Sequence, residues 1–400
     1  MWIEWTLAMR FLRQGRVQTA LIVTGIAVGV AVIVFITALI NGLQGNLIER
    51  TLGTQAHIRV EAPEEMNLLP RRPEGTHRLV LEDKRAQRLR SINNWQQVRD
   101  TLDGLPGVRG VSPVMTGPAM ARRGAAFESV ALVGMDPQRY QQIIPVHENM
   151  VAGQFKVGAG DAVIGSQLAD NLGLRVGGKL RLEGAGDADA LVNIAGVFEL
   201  GVRELDERYV YVDLRQAQSL LGVPGGVALI DLAADDIFGA DVLAARIGRL
   251  TGLHTQSWMQ LNTQLMNALR SQRLATSMIS FFVAISVAFG IASVLAVSVT
   301  QRTREIGILR ALGTRREQML RVFLLQGAVL GICGSAVGSV AGLGLVWVFN
   351  TLGPGLFPAP LPPSLMVWAM AGATLIGTLS AAVPAWRASR LDPVVAIRYV

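Results

Sequence analysis

Gly173-Leu-Arg-Val-Gly-Gly-Lys179 has the G-x-x-x-x-G-K spacing with which a glycine-rich loop cradles nucleotide phosphates and a lysine reaches them. The rest of the chemistry does not follow. Leu180 stands where a Ser or Thr hydroxyl should meet Mg²⁺. The segment follows a helical pattern and precedes a strand pattern, the reverse of the order that aims a helix N-terminus at phosphate. It reads as a Gly-rich turn. His57, His77, His147 and His254 are scattered without metal-ligand spacing, and no G-x-S-x-G marks a serine nucleophile. Asp235-Asp236 reads as a solvated turn, and the single cysteine, Cys333, excludes an intrachain disulfide. No catalytic, metal or cofactor-binding residue is nominated. Any work this chain does must draw its energy from a partner.

What remains is a stretch with the character of a docking element. Gln301 to Arg316 lies between two long apolar runs and is short and strongly basic. It keeps Ile306, Leu309 and Leu312 at helical spacing, with Ile308 beside them. A plain loop between membrane spans needs no such strip. The expectation is a short amphipathic helix that docks in a groove on another protein.

The surrounding elements are those of a membrane protein. Only 17% of the 400 residues are charged and 50% are hydrophobic, against about 25% charged in an ordinary soluble chain. Residues 1–16 carry Arg10, Arg13 and Arg16 among aromatics and read as an amphipathic segment on the cytoplasmic face. An uncharged run at 17–40 has the length of a first span. Further spans are expected at 274–300, 322–350 and 365–386, in a 1 + 3 arrangement. Residues 301–321 form a cytoplasmic loop, 351–364 a short outer loop and 387–400 a cytoplasmic tail. The orientation comes from arginine. Arg302, Arg304, Arg310, Arg315, Arg316, Arg321, Arg387, Arg390 and Arg398 share a side with the N-terminal arginines, whereas 351–364 has none. The net charge of +7 therefore speaks for a membrane surface and not for nucleic acid. Gly334, Gly338 and Gly342 form successive G-x-x-x-G steps suited to close helix packing, within one subunit or at a dimer seam. No charge interrupts a span, which disfavours an ion-coupled transporter.

Residues 41–273 read as a soluble α+β domain outside the membrane. A helix at Asn93–Leu105 followed by a strand at Val108–Met120 recurs as a helix-then-strand pattern at Gly239–Trp258. Two such units at opposite ends of one domain suggest a ferredoxin-like arrangement with a second lobe, about 135–223, inserted between them. Pro63 to Arg90, charged and without periodicity, reads as an inserted loop.

Arg304-Glu-Ile-Gly-Ile-Leu-Arg-Ala-Leu-Gly313, followed by Met319 to Phe323 leading into a span, resembles the signature of FtsX-like (MacB-type, type VII) ABC transporter permeases. The tail from Val383 to Arg398, with Pro384, Arg387, Pro393 and Arg398, resembles that family's closing motif. Asn46 to Gly53, Val133 to Pro137, Val163 to Gly173 and Phe323 to Gly327 look like the lipoprotein-releasing permeases of the LolC and LolE type. The resemblance implies an α-helical inner-membrane protein with four transmembrane helices and a two-lobed MacB-type periplasmic core. It implies two such permeases paired, as a homodimer or with a paralogue, on two copies of a cytoplasmic ABC ATPase that binds ATP and Mg²⁺. It further implies that Arg304 to Gly313 is the coupling helix, with Ile306, Leu309 and Leu312 filling an ATPase groove and Glu305, Arg310 and Arg315 fixing register; Gly307 and Ile308 complete the motif. The cargo would be a lipoprotein or other amphiphile. MacB-like efflux through a periplasmic adaptor, and FtsX-like control of a cell-wall hydrolase, are the alternatives. The permease that recruits a lipoprotein carrier uses a long hairpin hook. Glu183 to Asn193 is too short for one, so either this is a non-recruiting subunit or its cargo is not handed to that carrier.

Overall fold

In the computed structural model of the chain, residues 2–63, 90–184, 188–353, 355 and 357–390 are described. The expected loop at 64–89 and the tail residues Pro393 and Arg398 lie outside them. The chain begins with α1 (Trp2–Gln14) and α2 (Arg16–Leu52). The first part of the sheet domain holds β1 (Ile58–Glu61), α3 (Trp95–Asp103), β2 (Val108–Arg123), β3 (Ala126–Met135) and α4 (Pro137–Tyr140). Then come β4 (Met150–Gly153), β5 (Asp161–Gly165), α5 (Ser166–Asn171), β6 (Lys179–Glu183) and β7 (Asp189–Phe198). The domain continues with α6 (Arg203–Arg208), β8 (Tyr209–Asp213), α7 (Leu214–Leu220) and β9 (Leu229–Ala234). It closes with α8 (Ala240–Thr251), β10 (His254–Ser257) and α9 (Trp258–Leu261). Four helices complete the chain: α10 (Thr263–Gln301), α11 (Thr303–Ala311), α12 (Arg316–Leu352) and α13 (Pro363–Ser389). Two compact units result, residues 48–266 and residues 1–47 with 267–400.

The sheet domain is built from two interlocked pieces. One has strand order β10-β1-β9-β2, all antiparallel, with α3 and α8 as its crossovers. That is the order of a split β-α-β pair, as the repeated helix-then-strand pattern implied. Its core gathers Ile58, Val60, Leu102, Ile230, Leu232, Ile247 and Trp258. The inserted piece pairs β2 with β3, β3 with β8, β8 with β5, β5 with β7, β7 with β6 and β6 back with β2. This ring of six strands is a closed barrel, which leaves no bare edge along it. Met115, Leu132, Ile164, Leu180, Val192 and Val210 belong to its buried core. The barrel starts earlier than residue 135. It uses all of β3 and the far end of β2, where Met120–Arg122 pair with β6. The polar turn Arg122-Arg123-Gly124 interrupts the alternation, so the sequence hides a hairpin whose two strands run on either side of it.

The other unit holds the four helices long and apolar enough to cross a membrane: α2, α10, α12 and α13. One precedes the sheet domain in the chain and three follow it. At 37 residues, α2 is about 55 Å long, more than the ~30 Å of a hydrocarbon core. The glycine row of α12 sits against α2. An added Cβ at Gly334 would meet Ile26 at 2.6 Å, at Gly338 the Ala27 carbonyl at 2.5 Å, and at Gly342 Val34 at 3.0 Å. Gly327 and Gly331 receive α13 in the same manner, at Gly377 and Thr374. The dimer-seam reading of Gly334, Gly338 and Gly342 is therefore corrected. That face is filled by the chain's own α2, because backbones can approach closely only where Cβ is missing.

Candidate coupling site

α11 is a nine-residue helix between α10 and α12. It ends at Gly313, whose φ of +100° lies in the region that favours glycine. There the Gly313 and Thr314 amides donate back to the Arg310 and Leu309 carbonyls, closing the helix and freeing the chain to turn into α12. The Arg315 amide donates to the Gln318 side chain at 2.9 Å, fixing the start of the next helix.

The expected strip divides between two faces. Ile306 is fully buried, packed in a cluster with Val299, Met319, Phe323, Ala385 and Ala388. Gly307 is buried and Leu309 half-buried, packed against the same core. Leu312, by contrast, is 81% exposed and Ile308 45% exposed. A helix advances 100° per residue, so a series at steps of three drifts by about 60° each time, and Leu312 lies about 120° round from Ile306. The reading of Ile306 and Leu309 as groove-filling residues is corrected: they hold the helix to its own chain. The outward face consists of Arg304, Glu305, Ile308, Ala311, Leu312 and Arg315, all exposed. Two large apolar side chains among charges, presented on a helix tied down from behind, form a small exposed knob. Arg310 is half-buried.

Sequence reasoning missed the partners behind α11. Arg302, at its N-cap, donates to the Phe11 carbonyl at 2.9 Å and lies 4.9 Å over the Phe11 ring. Ala8, Phe11 and Val322 form a buried cluster that Leu309 also touches. The one-sided apolar spacing of 1–16 was legible, but it is read as a lipid-facing stripe when the covering helix is unknown. In the closing motif, Pro384 is buried inside α13, while Arg387 is exposed.

In the Gly-rich turn, Leu174 donates to Ala169, Gly177 to Ile194 and Gly178 to Arg175, at 2.7, 2.8 and 2.9 Å, so these amides are engaged within the fold. Arg123 caps the Leu172 and Gly173 carbonyls. Among the described residues, no group of three His, Cys, Asp or Glu is placed to hold a metal ion. Asp231 and His57, both buried in the sheet domain, have structural partners. Asp231 meets Arg59 at 3.3 Å; burial raises the Asp231 pKa, while Arg59 opposes the rise. His57 accepts the Ala234 amide at Nδ1, and burial lowers its pKa. The hairpin expected to be short is closed tightly, with Glu183 paired to Asp189 and the Gly184 amide bonded to the Ala188 carbonyl.

Residues 277–393 match the family model described as FtsX-like permease C-terminal, and residues 19–250 match the MacB-like periplasmic core domain. The chain belongs to the FtsX-like permeases with a MacB-like periplasmic core. It is 26% identical to the lipoprotein-releasing system transmembrane protein LolC of Xylella fastidiosa, over 94% of this chain and 92% of that one. It is also 26% identical to LolE of Haemophilus influenzae, over 92% and 91%. The macrolide export ATP-binding/permease protein MacB of Shewanella oneidensis is 28% identical over 96% of this chain, which spans only 58% of that relative. The permease is thus an ABC transporter permease of the LolC, LolE and MacB type.

Proposed function

We propose that this permease works with a separate cytoplasmic ATPase, bound in two copies, to lift lipoprotein or a similar amphiphile out of the inner membrane. α11 is the input. The observation that carries this reading is its outward face, where Ile308 and Leu312 stay exposed while Ile306 anchors the helix. The arginine distribution supports a cytoplasmic position for that face, with four spans in a 1 + 3 topology and both termini on the same side. A second permease copy, the same or a paralogue, completes the assembly. ATP and Mg²⁺ belong to the partner.

An amphiphilic cargo is supported by two cavities along one seam. An apolar cavity of about 200 Å³ lies among α2, α10 and α13, lined by Ile33, Val283, Ala284, Val287, Trp368 and Gly372 among others. One turn further along α2 and α10, a polar cleft of about 350 Å³ is lined by Thr37, Asn41, Gln44, Arg273, Ser277 and Ser280. Likeness to LolC and LolE along nearly the whole chain supports the lipoprotein reading. The short β6–β7 hairpin fits a subunit that does not itself recruit a carrier.

The test is release from proteoliposomes holding the permease, its ATPase and a fluorescent triacylated lipopeptide. ATP-dependent release that is lost in the Gly372→Phe variant supports the reading; an added Cβ at Gly372 meets nothing within 4 Å. Export of a soluble macrolide with no lipopeptide release supports the efflux alternative instead. Activation of a cell-wall hydrolase without transport supports the regulator.

A further inference from the structure

α1 has the composition of a helix lying on a membrane surface, yet its buried face is turned to the protein. Glu4, Ala8 and Phe11, at spacings of four and three, are 4%, 0% and 5% exposed. Each turn of α1 is fastened by a polar side chain from the α10–α12 region. Arg321 lies 3.6 Å from the Glu4 carboxylate. Gln326, itself buried, donates to the Ala8 carbonyl at 3.4 Å. Arg302 donates to the Phe11 carbonyl and covers its ring, which also stacks on Phe323 at 6.3 Å. Gln18, just past the joint at Gly15, donates to Gln301 at 2.6 Å.

A helix that only floats needs none of this. It would turn Ala8 and Phe11 to lipid and keep a carboxylate in water, because burying a charge is costly unless it is paired. Arg302 also sits at the C-terminal end of α1, where the helix dipole favours a cation. The same residue stands at the N-cap position of α11 and joins it to α10, leaving its guanidinium free to face α1. One guanidinium therefore ties the end of α1 to the start of α11, while Leu309 packs against both helices' shared cluster.

We infer that α1 is a second arm of the coupling apparatus, and that Arg302 is a positioning residue that makes α1 follow α11. The inference rests on the reading of α11 as the ATPase-driven helix. Displacement of α11 reaches α10 and α12 directly, since it lies between them in the chain. Through Arg302 it also reaches α1, and across Gly15 it reaches α2, which has no direct chain connection to α11. All four long helices are then driven from one point, because α12 holds α13 through the glycine contacts.

The experiment uses the full chain with its ATPase in nanodiscs, with Cys333→Ser and spin-label pairs linking α11 (Thr303→Cys, off the outward face), α1 (Arg13→Cys) and α13 (Val367→Cys). On addition of ATP with vanadate, the α11–α13 distance should shift, and the α1–α13 distance should shift with it while α1–α11 stays fixed. Arg302→Gln removes a charged hydrogen bond and a cation–ring contact, which lowers the population of docked α1 by about 30-fold. In that variant α11 should still move, α1 should not, and cargo release per ATP hydrolysed should fall by about tenfold or more. Arg302→Lys should restore co-movement in part. Gln326→Leu, which keeps volume but drops the bond to Ala8, is the second route should Arg302→Gln fail to assemble. If α11 moves and α1 stays still in the unmodified chain, or if Arg302→Gln and Gln326→Leu both couple like it, the inference is overturned. If α11 itself does not move, the coupling reading falls as well.

Discussion

Replacing Leu312 separates docking from folding, because the structure assigns α11's apolar residues to opposite faces. Leu312 is 81% exposed, so nearly its whole side chain is available to a partner. Burying a leucine contributes about 2 kcal/mol, equivalent to a change of about 30-fold in Kd. Leu312→Ala should weaken ATPase binding by about that factor. Leu312→Asp should weaken it further, since an unpaired carboxylate would enter the groove. Neither change removes a contact from the chain's own core, so unfolding should shift by about 0.5 kcal/mol or less. Ile306→Asp is the opposite case. It puts a charge among Val299, Met319 and Phe323 and should cost several kcal/mol of stability before docking is even tested. The assay pairs biolayer interferometry of the nanodisc-held permease against its ATPase with thermal unfolding of the permease alone. If a double Ile308→Asp, Leu312→Asp variant binds the ATPase as tightly as the unmodified chain, the outward face is not the docking face and the reasoning fails.

Other expectations follow from the same geometry. Gly338→Leu should destabilise the membrane unit by about 1–3 kcal/mol through overpacking against Ala27 and Val30, whereas Gly344→Leu, where an added Cβ meets nothing within 4 Å, should be near neutral; unfolding midpoints in detergent compare them. For His57, burial holds the folded-state pKa below the unfolded value, so the unfolded state takes up the proton first as pH falls. The sheet domain should therefore lose stability from about pH 6.5 down to the folded pKa, by at most about 1.4 kcal/mol per pH unit. His57→Asn should flatten that segment of the midpoint-against-pH curve, and an unchanged slope would remove His57 as the cause.

The sequence carried much of this architecture, in forms that differ by element. Long uncharged runs announce membrane helices without help from tertiary contacts. The repeated helix-then-strand pattern likewise implied the β10-β1-β9-β2 order, because each half is local. The barrel was not legible, since its closure depends on β6 returning to β2 across nearly sixty residues and on a hairpin hidden by a polar turn. For α11, residue types located a short amphipathic helix but not which way its faces point. A step of three drifts round the helix, and only packing decides which end of the strip faces inward. The G-x-x-x-G row announced close approach but could not say to which helix. Arg302 looked like one more arginine of a basic loop, because its partner, the Phe11 carbonyl, lies 291 residues away.

The central claim is that the outward face of α11 meets an ATP-hydrolysing partner. Cys333 is the chain's one cysteine, so a Cys333→Ser background makes site-directed cross-linking clean. With a single cysteine at Ala311, on the same exposed face, and a short bifunctional reagent, cells expressing the permease and its ATPase should yield a cross-linked species containing both proteins, with no such species from a cysteine at Val367. Absence of the Ala311 cross-link, with the two proteins present at normal levels and ATP-dependent release intact, would contradict the account.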